Sequence, residues 1–142
     1  MEEQNVIHRA TELVAEHEGL ALKPYLCPEG KLTIGYGRNI EDNGVSAKEA
    51  AILLSSDIES TLEQLGCLAC FRSLNLARKV VLVDMCFNLG YPRFTLFKRM
   101  IAALNQQNYE LAALEMMDSK WAQQVGKRAQ RLSKIMKTGQ FC

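Results

Sequence analysis

The stretch HEGLALKPYLCPEGKLTIGYGRN, residues 17–39, changes its periodicity partway along and so decides how the chain is built. Upstream of it, Val6, Ile7, Ala10, Leu13, Val14 and His17 recur at helical spacing, which predicts an amphipathic helix over 3–18. Gly19 is a natural stop for that helix. Beyond it, Pro28-Glu29-Gly30 reads as a turn, and Leu32, Thr33, Ile34 and Tyr36 are β-favouring residues set among glycines. A small antiparallel hairpin over 25–40 follows, closed by Asp42-Asn43-Gly44.

Downstream the helical period returns. Ser46 and Glu49 form a capping box that opens a helix running to about Leu65. After a break over 66–71, Ser73 is placed to cap a long apolar helix through Leu76, Val80, Val83 and Phe87, stopped by Gly90 and Pro92. Shorter helices are expected near 95–105, 108–117, 119–124 and 127–136. No repeat or low-complexity tract interrupts them. The pattern is α+β, mostly helical, with one small sheet near the N-terminus.

With 142 residues, 48% hydrophobic and 23% charged, the chain is expected to form one domain. Its net charge of +1 marks it neither as a nucleic-acid binder nor as a binder of acidic substrates. The charge is unevenly spread, however. Residues 1–18 hold Glu2, Glu3, Glu12, Glu16 and Glu18 against Arg9, whereas 120–142 hold Lys120, Lys127, Arg128, Arg131, Lys134 and Lys137 and no acid. Such asymmetry implies either pairing of the two ends or a basic face turned to an anionic partner. Cys67 and Cys70 are three apart, but no second pair completes a zinc site, so Cys67, Cys70 and Cys86 read as small core hydrophobes in a reducing compartment. The start, MEEQNVIHRATEL, has no basic and then apolar segment of a secretion signal, and no apolar run reaches the length of a membrane span.

Glu18 is the most informative single position. At the C-terminal end of a helix the negative pole of the dipole opposes a carboxylate and favours the neutral, proton-carrying acid. That is the form a general acid uses, although a solvated glutamate on a last turn is the plain alternative. Cys27, before Pro28 in a polar hairpin, is either a half-buried small hydrophobe or a thiolate active as nucleophile or base. Thr33 is at home in a strand by propensity alone. Gly35 and Gly37 either admit a polymer close to the backbone or mark bends.

The order Glu18, Cys27, Thr33 resembles the catalytic triad of the T-even phage lysozyme family of glycoside hydrolases, whose middle residue is Asp or Cys. EGLALKPY followed by LTIGYGRN is similar to that family's signature hairpin. The likeness continues through Met85-Cys86-Phe87-Asn88-Leu89-Gly90, Phe94-Thr95, Ser119-Lys120-Trp121, Arg128-Ala129 with Arg131, and Thr138-Gly139. It spans nearly the whole chain in order.

The resemblance implies a lysozyme-like two-lobed fold: an N-terminal lobe with the small sheet over about 17–60, a helical C-terminal lobe over about 66–142, and the N-terminal helix packed near the latter. It implies an endolysin, a muramidase cutting the β-1,4 bond between N-acetylmuramic acid and N-acetylglucosamine in peptidoglycan. Glu18 would protonate the leaving oxygen and Thr33 would hold the attacking water. Cys27, in place of the more usual aspartate, would activate the water and give inversion, or attack the anomeric carbon and give retention; the likeness favours inversion. A separation of about 6.5–9.5 Å between the two groups leaves room for water, and about 5–5.5 Å suits a nucleophile. Arg38 stands where the family hairpin ends in histidine, so an Arg38–Asp57 ion pair is expected. Arg128 is expected near Glu18, and Phe87 and Glu115 fall at substrate-contact positions. Phe97 replaces a small polar residue of the family. Neither metal nor cofactor is implied.

The likeness also implies a monomer held in the host cytoplasm until a separate membrane-permeabilising protein, a holin, admits it to the periplasm and the wall. The basic stretch 127–137 is either a solvated helix face or a contact for anionic lipopolysaccharide, with Leu132, Ile135 and Met136 as its apolar side. Two rivals stay open: a peptidoglycan-binding module that does not cut, and a helical protein that binds nucleic acid through the basic tail. The second lacks an aromatic-basic platform.

Overall fold

The computed structural model describes residues 1–141. Helix α1 spans Glu2–Glu18 and ends at Gly19, so Glu18 does close its last turn. Three antiparallel strands follow in the order β1 (Ala21–Leu26), β2 (Leu32–Gly35) and β3 (Arg38–Asn39). Tyr25 faces Thr33 and Leu26 faces Leu32 across the first pair, while Thr33 faces Asn39 and Ile34 faces Arg38 across the second. The expected hairpin thus carries a third, short strand. Its expected closing turn is instead the end of a one-turn helix, α2 (Ile40–Asn43), because the Asn39 side chain accepts the Asp42 N–H at 3.0 Å and caps it. Helix α3 (Ala47–Leu65) opens with the capping box: Ser46 N–H donates to Glu49 Oε1 at 2.8 Å, and Glu49 N–H to Ser46 Oγ at 3.1 Å.

The chain divides into two units, Met1–Ala51 and Ile52 onward. In the first, the sheet buries Thr33, and α1 leaves Val6, Ile7, Leu13 and Val14 exposed.

The second unit is all helical after α3: α4 (Ala69–Arg72), α5 (Leu76–Leu89), α6 (Tyr91–Phe94), α7 (Lys98–Asn105), α8 (Tyr109–Met117), α9 (Lys120–Val125) and α10 (Lys127–Thr138). Helix α10 packs on α8 and α5, and α8 on α7. Val81, Leu82, Met85, Phe94, Met100, Leu104, Met116 and Met136 are sealed from solvent between them. Each such side chain contributes about 1.5–3 kcal/mol by leaving water.

Asn75 caps α5, its Oδ1 accepting the Arg78 N–H at 3.0 Å, whereas Ser73 terminates α4 in a helical conformation. Pro92 lies inside α6, where a first-turn proline loses no helical hydrogen bond. Cys70 and Cys86 are core residues, but Cys67 is exposed, since it sits beyond the end of α3 with only a weak contact to the Glu63 carbonyl. Leu132, Ile135 and Met136 face the core, so they are not an apolar side available to a lipid surface.

Candidate active site

Strands β1 and β2 bring Cys27 and Thr33 together. Cys27 starts the connection between them: its N–H donates to the Lys31 carbonyl at 2.9 Å, and its own carbonyl accepts from Gly30 N–H at 2.8 Å. The backbone N–H of Lys31 and then that of Glu29 stabilise a thiolate at Cys27 and lower its pKa. Burial and the Glu29 carboxylate oppose it more weakly. Cys27 is half-buried, and Thr33 is 3% exposed with its hydroxyl donating to the Lys31 carbonyl at 2.9 Å. The turn is tied down from outside, where Lys31 Nζ lies 3.3 Å from Asp42 and 3.5 Å from Glu41, and Leu32 N–H donates to Glu41 at 3.2 Å.

Glu18 reaches the β2–β3 turn. A Cβ built on Gly37 would stand 2.5 Å from Glu18 Oε2 and 2.8 Å from its Cδ, so the carboxyl group lies directly over the Gly37 Cα. The same residue has φ 77°, a backbone state that L side chains rarely adopt. Glycine is therefore needed at Gly37 twice over: for the turn and for the approach of the acid.

Arg38 is fixed by a partner other than the one expected. Its Nη1 donates to Glu49 Oε1 at 2.7 Å and to the Gly44 carbonyl at 3.3 Å, and its Nη2 donates to Glu49 Oε2. The pair with Asp57 is thus replaced by a two-pronged pair with Glu49. The physical reason is placement: Glu49 is in the first turn of α3, already oriented by Ser46 N–H, and Asp57 is eight residues or about 12 Å farther along the helix. Asp57 itself is exposed. The guanidinium and then the Ser46 N–H hold Glu49 down to about 2.

The remaining candidates lie in the second unit. Arg128 Nε donates to Asp84 at 2.7 Å, which anchors α10 to α5. Phe87 is exposed on α5. Glu115 lines a cavity of about 490 Å³ together with Phe97, Trp121, Arg93, Lys98 and Lys120; Phe87 is not part of its wall. The Trp121 indole N–H donates to Asn88 Oδ1 at 2.7 Å, and the Phe97 ring meets Trp121 edge to face at 6.2 Å. Among the described residues no group of three or more His, Cys, Asp or Glu side chains is disposed to hold a metal ion.

Glu49 and the Lys31–Glu41–Asp42 cluster are absent from the site expected from sequence, and Gly37 is marked there only as a close approach for a polymer or a bend. The capping box already marked Glu49, but its second task depends on how β3 folds back, which spacing does not encode.

Helices and a three-stranded antiparallel sheet in this order make the mostly helical α+β fold of a lysozyme. Residues 15–136 match the family model for phage lysozyme, and the chain belongs to that family. It is 25% identical to "Probable T4-type lysozyme 2" of Dictyostelium discoideum, over 90% of this chain and 93% of that one. It is 29% identical to "Endolysin" of Acyrthosiphon pisum secondary endosymbiont phage 1, over 87% and 86% of the two chains. "Pre-baseplate central spike protein Gp5" of Enterobacteria phage T4 shares 27% identity over 90% of this chain but 27% of its own length.

Proposed function

We propose that the protein is a muramidase that hydrolyses the β-1,4 bond between N-acetylmuramic acid and N-acetylglucosamine in peptidoglycan, acting as an endolysin in host-cell lysis. One observation carries the catalytic part of this reading. The first unit presents a carboxyl group seated on the β2–β3 turn and, on the neighbouring turn, a cysteine whose thiol the Lys31 and Glu29 backbone shifts toward the thiolate.

In the mechanism, Glu18 acts as the general acid and gives a proton to the glycosidic oxygen as the C1–O bond breaks, and positive charge develops on the sugar ring. The Cys27 thiolate, sustained by Lys31 and Glu29 N–H groups, stabilises that charge and takes a proton from water as the water attacks the opposite face. Thr33 holds the water through its hydroxyl oxygen, whose hydrogen is directed to the Lys31 carbonyl. The product is inverted at the anomeric carbon. Water carries the new C1–O bond, Cys27 holds the water's proton, and Glu18 leaves as the carboxylate. Glu115 and Phe87 contact the glycan strand from the second unit, and Arg128 supports the acid.

The protein works as a monomer without cofactor. It waits in the host cytoplasm and reaches the wall after a holin opens the inner membrane. With the apolar side of α10 occupied by the core, a contact with lipopolysaccharide would rest on charge alone, through exposed Lys127, Arg131 and Lys134. Mass spectrometry of murein digested by wild type, Glu18→Gln and Cys27→Ser tests the reading. Wild type is expected to release disaccharide muropeptides with a reducing N-acetylmuramic acid end, Glu18→Gln none, and Cys27→Ser far fewer. Equal release by wild type and Glu18→Gln would refute it.

A further inference from the structure

The Arg38–Glu49 pair is oddly costly for a surface contact. Both terminal nitrogens of the guanidinium are committed, and the carboxylate is already engaged by a helix cap. Exposed ion pairs contribute little to stability as a rule, so the question is what this one holds in place. Arg38 is the residue after Gly37, and Gly37 is the surface against which Glu18 rests. Arg38 is also the first residue of β3, paired with Ile34 of β2, one residue beyond Thr33. Its remaining bond, to the Gly44 carbonyl, fixes the start of the loop that leads into α3.

We infer that Gly37, together with the Arg38–Glu49 clamp beside it, positions the Glu18 carboxyl for proton transfer: the clamp fixes the β2–β3 turn on the first turn of α3, and the bare Cα of Gly37 provides the seat. These are positioning residues, which act on the reaction through Glu18. The inference rests on Glu18 being the general acid. The seat leaves no room for a methyl group, since 2.5 Å to Glu18 Oε2 is closer than any Cβ tolerates. A methyl group there would push the acid away by about 1 Å, a displacement on the order of 100-fold in rate.

The selective perturbation of the clamp is Glu49→Gln. Glutamine keeps the capping box and one hydrogen bond to Arg38 but loses the charge. Gly37→Ala perturbs the seat directly, and Arg38→Lys keeps a positive charge without the fork. Initial rates on purified murein, measured across pH for these variants, wild type and Glu18→Gln, give kcat and KM; urea unfolding gives the folded fraction. The expected result is a kcat lower by about 100-fold in Gly37→Ala and about tenfold in Glu49→Gln and Arg38→Lys, with KM within twofold. The limb of the kcat profile that reports the acid should move in all three. If Glu18→Gln is inactive while these variants keep kcat and that limb unchanged, the positioning role is overturned. It is overturned equally if kcat falls only in proportion to the folded fraction. An active Glu18→Gln would remove the acid assignment itself, a failure distinguishable from the other two.

Discussion

Arg78 offers the most direct test of how the second unit is held. It projects from the first turn of α5 and reaches the far end of α10, donating from Nε to the Met136 carbonyl at 2.8 Å and from Nη2 to the Lys137 carbonyl at 3.2 Å. Its guanidinium also lies 3.7 Å from the centre of the Tyr109 ring on α8. Gly139, which ends α10 at φ 73°, leaves space for it; a Cβ there would stand 2.8 Å from Arg78 Cζ. Arg78→Ala removes both hydrogen bonds and the stacking, and leaves two carbonyls at the negative pole of a helix without their cation. Hydrogen bonds from a charged donor contribute about 1.5–3 kcal/mol each, roughly half of that for a half-buried side chain, and the cation–π contact adds about 0.5–1 kcal/mol. The expected destabilisation is about 2–4 kcal/mol, or roughly 6–12 °C in Tm. Equilibrium urea unfolding followed by Trp121 fluorescence reads this unit specifically. Arg78→Lys should recover less than half of the loss, because an ammonium cannot make both bonds and stack. A loss under about 0.5 kcal/mol in Arg78→Ala, the range of an ordinary surface substitution, or full recovery by lysine, would refute the reasoning.

Three further outcomes are expected. Because N–H donors lower the Cys27 pKa, murein hydrolysis should rise with pH through a midpoint below the ordinary thiol range. Cys27→Asp should move that limb into the carboxylate range, and Cys27→Ser should abolish it; one limb common to all three proteins would exclude the thiolate. Glu49 is held at about 2 in the folded chain, below its unfolded value of about 4.3. Its contribution to stability is therefore complete above the unfolded value and lost as pH falls toward 2. Thermal midpoints of wild type should accordingly fall more steeply than those of Glu49→Gln across that window, and parallel curves would count against the clamp. Finally, Trp121→Phe removes the 2.7 Å bond to Asn88 at the wall of the Glu115 cavity. It should cost about 1–2 kcal/mol and raise KM for murein more than it lowers kcat; the reverse split would separate this cavity from substrate binding.

The periodic elements were legible because their signals are local. The stripe of α1, the capping box of α3 and the glycine stops of α1 and α5 all depend on residues within one or two turns. What escaped depends on chain reversals. Arg38 was matched to Asp57, but Glu49 lies at the mouth of α3, and the fold of β3 decides which acid an arginine meets. Ser73 looked like a cap because its type is right; its helical backbone leaves that task to Asn75. The apolar side of α10 was visible as a stripe, and a stripe alone does not say whether the core or a lipid surface covers it. Glu18 was found through its awkward position at a helix end. Its seat on Gly37 required two distant backbones to be placed first.

The burial of α10 also sets a timetable for synthesis. Ala129, Leu132, Ile135 and Met136 complete a core whose other walls, α5 and α8, precede α10 in the chain. A ribosome that has finished α8 has therefore produced helices with an open apolar seam, closed only when the last dozen residues of helix emerge. The β1–β2 hairpin, by contrast, joins neighbours in sequence and can form as soon as it leaves the ribosome. The two units should thus mature at different moments, the first once its hairpin has emerged and the second only after α10 has followed. The same logic makes α10 a poor place to cut: removing its turns leaves the second unit with that seam open.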